Sequence, residues 1–357
     1  MTLREDLRDM KPYTPGQLRP GVLKLASNEN PLGPSPLALE AVRHALASVY
    51  IYPDGASRVL KKALAESMGI APEQVAVGNG SDEIFTFITG AYLRPGDAAV
   101  GSENTFSEYE FAVRLFGGTM KKAPLRDGVY DLDAMAKLIE PKTRMVFLCN
   151  PNNPTGGAFL QPALEAFLQK VPPSTLVVLD EAYCHYADDA QYPKSLALLP
   201  HWPNLIVVRT FSKIYGLAAM RIGYAVASSE IITHLAVVKQ PFNVNGLGQA
   251  AATAALGDRE FYERSRTVNR EGKAFWVQAF EKRNLFFYPT QANFIAVRLD
   301  RDSQKVFQAM ADAGVTIRPL TSFGLPQWIR ITIGTLEQNT LCLNALDHAL
   351  DTVPRDQ

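Results

Sequence analysis

The feature that most constrains this chain is a series of short apolar, largely β-branched segments, each closed by a polar or glycine-bearing loop. They are Val75-Ala76-Val77, Ala98 to Gly101, Met145 to Cys149, Leu176 to Leu179 and Leu205 to Val208. Segments this short and continuously apolar read as strands buried on both faces. Helix-like stretches lie between them, among them Ile84 to Tyr92 and Gln161 to Lys170. The alternation predicts an α/β fold with a mostly parallel sheet covered by helices on both faces. Open sheets of that kind bind ligands beyond the carboxyl ends of their strands, so the loops after the strands carry the functional reading.

After Val77 comes Gly78-Asn79-Gly80-Ser81-Asp82-Glu83, leading into a helix. Glycines there let the backbone approach a ligand, and free N–H groups with the helix dipole attract an anion. It is not a dinucleotide fingerprint, because Glu83 stands where the third glycine of GxGxxG belongs. After Gly101 comes Phe106, with Tyr109 beyond. An aromatic at that place reads either as core or as the cover of a flat heteroaromatic ring. After Cys149 runs Asn150-Pro151-Asn152-Asn153-Pro154-Thr155-Gly156-Gly157, a turn dense enough in Asn, Pro and Gly to point one amide in a fixed direction. Asp180-Glu181-Ala182-Tyr183 closes the next strand, and an acid at a buried strand end needs a partner, the bland one being nearby backbone donors. The last strand ends in Arg209-Thr210-Phe211-Ser212-Lys213-Ile214-Tyr215-Gly216, with Arg221 following. Taken alone, Lys213 is one more lysine in a turn.

Taken together, these loops supply a glycine cradle, an aromatic, an amide, an acid and a lysine. That is a set of parts for pyridoxal phosphate. The cofactor needs an amine for a Schiff base, a carboxylate to keep its ring nitrogen protonated, donors for its phenolate oxygen and an anion site for its phosphate.

Composition narrows the alternatives. Lys+Arg and Asp+Glu are both 36, which gives no electrostatic reason to expect nucleic acid or an anionic membrane as partner. At 357 residues and 47% hydrophobic, the chain can bury a large core and fill two domains. No apolar run approaches the length of a bilayer span, and Met1 to Lys11 alternates acids and bases without an apolar core. Cys149, Cys184 and Cys342 show no CxxC, and the histidines show no HxxxH. A cytoplasmic protein without disulfides or a metal site is therefore expected.

Proline and glycine from Pro12 to Pro36 mark an irregular N-terminal arm. Helices are predicted over Pro36 to Ser48 and Ser57 to Gly69, around the turn Tyr50-Ile51-Tyr52-Pro53-Asp54-Gly55. A hinge is expected around Glu263. The division that follows is an arm with part of the small domain over 1–45, a large cofactor-binding domain over 46–262 and a small C-terminal domain over 263–357. The small domain is read as strands Asn293 to Val297, Val315 to Pro319 and Trp328 to Ile333, with a helix Ser303 to Ala313. Arg318 and Arg330 sit in its apolar alternation, and a buried arginine needs an anion, either an internal carboxylate or a substrate group.

At these residues the sequence resembles the fold type I aminotransferases and, within them, the histidinol-phosphate aminotransferase family. The resemblance spans nearly the whole chain. It rests on Ser27-Asn28-Glu29-Asn30-Pro31, Tyr52-Pro53-Asp54-Gly55, Gly78 to Glu83, Asn150 to Gly156, Asp180 to Tyr183, Arg209 to Lys213 and Ile329-Arg330-Ile331-Thr332-Ile333-Gly334. It implies that Lys213 holds the cofactor covalently, that Asp180 pairs with the ring nitrogen and that Asn153 and Tyr183 bond the phenolate oxygen. Ser81, Ser212 and Arg221, with Thr210 and the backbone near Gly80 and Asp82, would hold the phosphate, and Phe106 would stack on the ring. Phe106 departs from the tyrosine more usual in the family, and Ala219 from a common glycine. Tyr52 would reach the cofactor phosphate of a second subunit in a homodimer. Arg330, Arg318, Tyr13 and Asn30 would bind substrate, the arm around Asn28 to Asn30 covering the entrance.

The activity implied is transamination of histidinol phosphate with 2-oxoglutarate, in histidine biosynthesis. Three alternatives remain: an aromatic amino acid aminotransferase, a threonine-phosphate decarboxylase and a non-catalytic cofactor-sensing domain. The last lacks a plausible DNA-binding segment in Met1 to Gly33.

Overall fold

A computed structural model of the chain describes residues 2–8, 10 and 21–356. Tyr13 lies outside the described residues. The main sheet has seven strands in the order Val75–Gly78, Gly223–Val226, Leu205–Thr210, Leu176–Asp180, Thr143–Cys149, Ala98–Ser102 and Thr119–Ala123. The apolar runs of the sequence fall on its centre. Val146, Phe147, Leu148 and Val177 to Leu179 are all 0% exposed, because helices cover both faces of the sheet. The expected mostly parallel arrangement holds for every pairing except those of Gly223–Val226, which runs antiparallel to both neighbours. The segment before it offers only a single turn of 3₁₀ helix, Ala218–Met220, and a parallel return needs a longer crossover.

A second apolar cluster contains Trp276, Phe280, Val297, Met310, Ile329, Ile331 and Leu346. It is built on a three-stranded antiparallel sheet in the order Phe294–Arg298, Trp328–Thr332, Arg318–Pro319, packed by the helices Ser303–Asp312 and Leu336–Thr352. The strand expected over 315–319 is split. Val315–Thr316 pairs in parallel with Leu23–Lys24 of the N-terminal segment, while Arg318–Pro319 forms the edge of the three-stranded sheet. Proline has no N–H for a further ladder, so an edge suits Pro319. The helix Arg259–Lys282 is continuous for 24 residues and runs through Glu263. Its Tyr262 packs on the apolar core around the seven-stranded sheet, and its Trp276, Ala279 and Phe280 belong to the second cluster.

Candidate active site

Asp180 ends one central strand, and Lys213 follows the adjacent one, which pairs with it in parallel. The two groups therefore emerge on the same edge of the sheet. Lys213 is half-buried; its Nζ donates to the Ser27 carbonyl at 3.1 Å and lies 5.5 Å from the centroid of the Tyr183 ring. Its pKa is lowered to about 8, first by burial and then by the positive charges of Arg330 and Arg221, against the pull of Glu29 and Asp82. An amine so placed is neutral, and nucleophilic, in a useful fraction near neutral pH.

Asp180 is 3% exposed. Its Oδ2 accepts from the Tyr109 hydroxyl at 2.5 Å and its Oδ1 from the Ala182 N–H at 3.0 Å. Burial pushes its pKa up to about 6, more than these two donors pull it down.

The cradle forms where the strand Val75–Gly78 turns into the helix Ser81–Tyr92. Gly80 holds φ +87°, and a Cβ there would meet Arg221 Nη2 at 2.5 Å. A Cβ on Gly223 would meet Gly80 C and Ser81 N at 2.4 Å. Gly80 is thus required by its left-handed backbone and Gly223 by close approach of the backbone. No side chain caps the helix, whose first turn carries Ser81, so its leading N–H groups face outward beside Arg221. Arg221 Nη2 pairs with Asp82 Oδ2 at 3.2 Å, and burial raises the Asp82 pKa. Ser212 is fixed by Thr210, whose Oγ1 accepts from the Ser212 N–H at 3.0 Å and lies 2.9 Å from the Ser212 hydroxyl.

Asn153 Oδ1 accepts from Arg330 Nη1, and Arg330 Nη2 donates to the Ala26 carbonyl at 2.8 Å. Arg330 is 6% exposed, with its guanidinium 5.1 Å over the Phe294 ring. Arg318 opposes Arg330 directly in the strand register, so both side chains leave the same face of the small sheet. The sequence pattern treats both arginines as buried, but Arg318 is only half-buried, because it stands on the edge strand, over Phe323 at 5.9 Å. Phe106 packs edge-on against Tyr109 with centroids 5.6 Å apart. The Asn30 amide is engaged internally, donating to the Ile214 carbonyl at 2.8 Å and Ser265 Oγ at 2.9 Å and accepting from the Leu32 N–H. It ties the N-terminal segment to the loop after Lys213. Tyr52 stands apart from this group, 79% exposed and stacked on Phe242 at 4.8 Å.

Three residues make contacts in the site that the sequence pattern does not show. Tyr109 is the donor to Asp180, signalled only by following Phe106 at the start of a helix. Asn28, in the left-handed region at φ 57°, donates its amide to the Tyr183 hydroxyl at 3.0 Å; its backbone carbonyl accepts from the Asn293 amide and its N–H donates to Thr332 Oγ1. Arg209 forms an ion pair with the fully buried Glu181 at 2.7 Å, joining the loops that carry Asp180 and Lys213.

Comparison with known proteins gives the family. The family model described as Aminotransferase class I and II matches residues 20–346. A histidinol-phosphate aminotransferase of Moorella thermoacetica is 49% identical, over 97% of this chain and 92% of its own length. One from Brevibacillus brevis is 48% identical, over 91% of this chain and 89% of its own. The crystal structure of histidinol-phosphate aminotransferase from Sinorhizobium meliloti in complex with pyridoxal 5'-phosphate superposes with a TM-score of 0.86 at 30% identity, covering 93% of this chain and 91% of that one.

Proposed function

Since this chain belongs to the class I and II aminotransferases, we propose that it exchanges the amino group of L-histidinol phosphate with 2-oxoglutarate, giving imidazole-acetol phosphate and L-glutamate in histidine biosynthesis. It is an enzyme, and its cofactor is pyridoxal 5'-phosphate. The observation that carries the reading is the pairing of a neutralisable lysine with a buried carboxylate on adjacent strand ends, beside an uncapped helix start that two close-packed glycines keep open. The near full-length relatives above favour the histidinol-phosphate reading over an aromatic aminotransferase.

The residues present fit the cofactor. Lys213 supplies the amine, and Asp180 the anion for the ring nitrogen. Asn153 and Tyr183 supply polar contacts to the phenolate oxygen, and Phe106 a face for the ring. Ser81, Ser212, Arg221 and the backbone from Gly80 to Asp82 supply the phosphate site, with Thr210 behind Ser212. When bound, the cofactor provides an electron sink for the substrate's α-carbon. Lys213, when its amine is free, would be the general base that takes up the substrate's α-proton. Asp180 would hold the ring nitrogen charged. Asn28, donating to the Tyr183 hydroxyl, leaves the Tyr183 proton to point into the site.

Arg330 and Arg318, leaving one face of one sheet, form the anion pocket for the phosphate of one substrate and the carboxylate of the other. Asn30 contributes by holding the N-terminal segment in place; Tyr13 is assigned to the same pocket from the family resemblance. The chain is further proposed to act as a cytoplasmic homodimer, with Tyr52 lent to its partner's cofactor phosphate. Val49, Tyr50, Ile51 and Tyr52, between 57% and 84% exposed, support such a contact. Among the described residues no helix is long and apolar enough to cross a membrane. The division into domains at 262/263 is likewise proposed, placed inside the helix that touches both apolar clusters.

The test is amino transfer itself: purified protein loaded with pyridoxal phosphate and given histidinol phosphate and 2-oxoglutarate, with glutamate measured. Glutamate formation at catalytic protein concentration is expected; none would reject the reading.

A further inference from the structure

We infer that Tyr109 is the positioning residue that keeps Asp180 aimed and ionised toward the cofactor ring. The inference rests on the assignment of Asp180 to the ring nitrogen, and extends it to a residue on a separate element. A carboxylate has two oxygens and a limited set of lone pairs. At Asp180 one oxygen is held by its own loop, through the Ala182 N–H at 3.0 Å, and the other by Tyr109 at 2.5 Å. Ala182 alone would fix one oxygen and let the carboxyl group swing about it. The second donor fixes the plane, and leaves the remaining lone pairs for a donor in the cleft.

Tyr109 is itself immobile. It is 1% exposed and lies in the helix Glu108–Leu115, stacked on Phe147 at 5.1 Å and edge-on to Phe85 at 5.0 Å. Its contact with Phe106 links the residue proposed to cover the ring's face to the one proposed to hold its nitrogen. One tyrosine thereby sets the relative position of both.

The groups that face Asp180 are otherwise unhelpful to its charge. Asp82 from the glycine loop and the neighbouring Glu181 are acids that raise its pKa. Cys149 on the adjacent strand, Tyr130 and Tyr183 are buried, Cys184 is half-buried, and all four are held in their neutral forms. No cation pairs with Asp180 among the described residues. Tyr109 and Ala182 are then the protein groups that favour the anion.

Tyr109→Phe removes the hydroxyl and keeps the packing. In the apoprotein, carbon-13 titration of the aspartate carboxyls locates Asp180, identified by the signal missing from Asp180→Asn. Its midpoint is expected to rise by about one pH unit in Tyr109→Phe, the size usual for one hydrogen bond to a charged group. In the loaded enzyme the acid limb of kcat/KM for histidinol phosphate is expected to move up with it, while the melting temperature changes little. An unmoved carboxyl midpoint overturns the inference, whatever the activity. A moved midpoint in a protein that cannot take up pyridoxal phosphate overturns instead the cofactor role on which it rests. Tyr109→Leu separates the packing role: it is expected to lower the melting temperature, and a midpoint in Tyr109→Phe that matches wild type while Tyr109→Leu melts early would show that packing is all Tyr109 does.

Discussion

Lys213 and Tyr183, carried by the loops after two neighbouring strands, meet with the amine 5.5 Å from the ring centroid. The amine is held there by a single carbonyl, that of Ser27, and by no carboxylate within ion-pair distance in the described residues. A lysine so surrounded gives up its proton readily, and this governs how the enzyme takes its cofactor.

Because the Lys213 pKa is depressed to about 8, loading of pyridoxal phosphate onto apoprotein should accelerate with pH, about tenfold per unit below that value, and level off above it. Stopped-flow absorbance of the lysine-bound cofactor measures this. A rate still climbing toward the pKa of a free lysine would show that the site does not depress it.

Asp180 has the opposite consequence for stability. Its folded pKa of about 6 lies above the unfolded value, so the folded apoprotein binds more protons between the two, and stability is lost as pH rises through about 6. Above that window Asp180→Asn should stabilise the apoprotein by roughly 1–3 kcal/mol, and below pH 4 by nothing, while kcat in the loaded enzyme falls by about 10² or more. Urea unfolding at pH 4 and 7.5 checks the first part; equal stability of the two proteins at pH 7.5 would contradict it.

Gly80→Ala should keep the fold, at a cost of about 1–2 kcal/mol from its left-handed backbone. The added methyl falls on Arg221, so cofactor affinity should drop by about tenfold or more. Equilibrium dialysis of pyridoxal phosphate reads it directly.

Arg330→Lys keeps a charge but not the planar fork, which also holds Asn153 and Ala26. KM for histidinol phosphate and for 2-oxoglutarate should rise together, by roughly 10- to 100-fold. A rise for one substrate alone would mean that the two anions use different sites.

Much of this was legible in the sequence because strand ends are. Apolar runs locate the strands, and whatever follows each run stands on the ligand edge of the sheet, which is how Gly80, Phe106, Asn153, Asp180 and Lys213 can be singled out together. Contacts between side chains of distant elements are not written in that pattern. Nothing around Tyr109 announces that its hydroxyl reaches Asp180, and nothing in the apolar alternation separates Arg330, on a central strand, from Arg318, on an edge. The direction of the antiparallel strand Gly223–Val226 is hidden for a similar reason: it is set by the short return from the Lys213 loop, and its composition is that of any buried strand.

The most direct test of the central claim is a single-turnover titration of the loaded enzyme, following the absorbance of the lysine-bound cofactor, with histidinol phosphate and separately with phenylalanine. Histidinol phosphate is predicted to discharge that absorbance at concentrations at least about 100-fold lower, because only it offers the arginine pocket a phosphate. Discharge by phenylalanine at equal or lower concentration would contradict the account and place the enzyme among aminotransferases of aromatic amino acids.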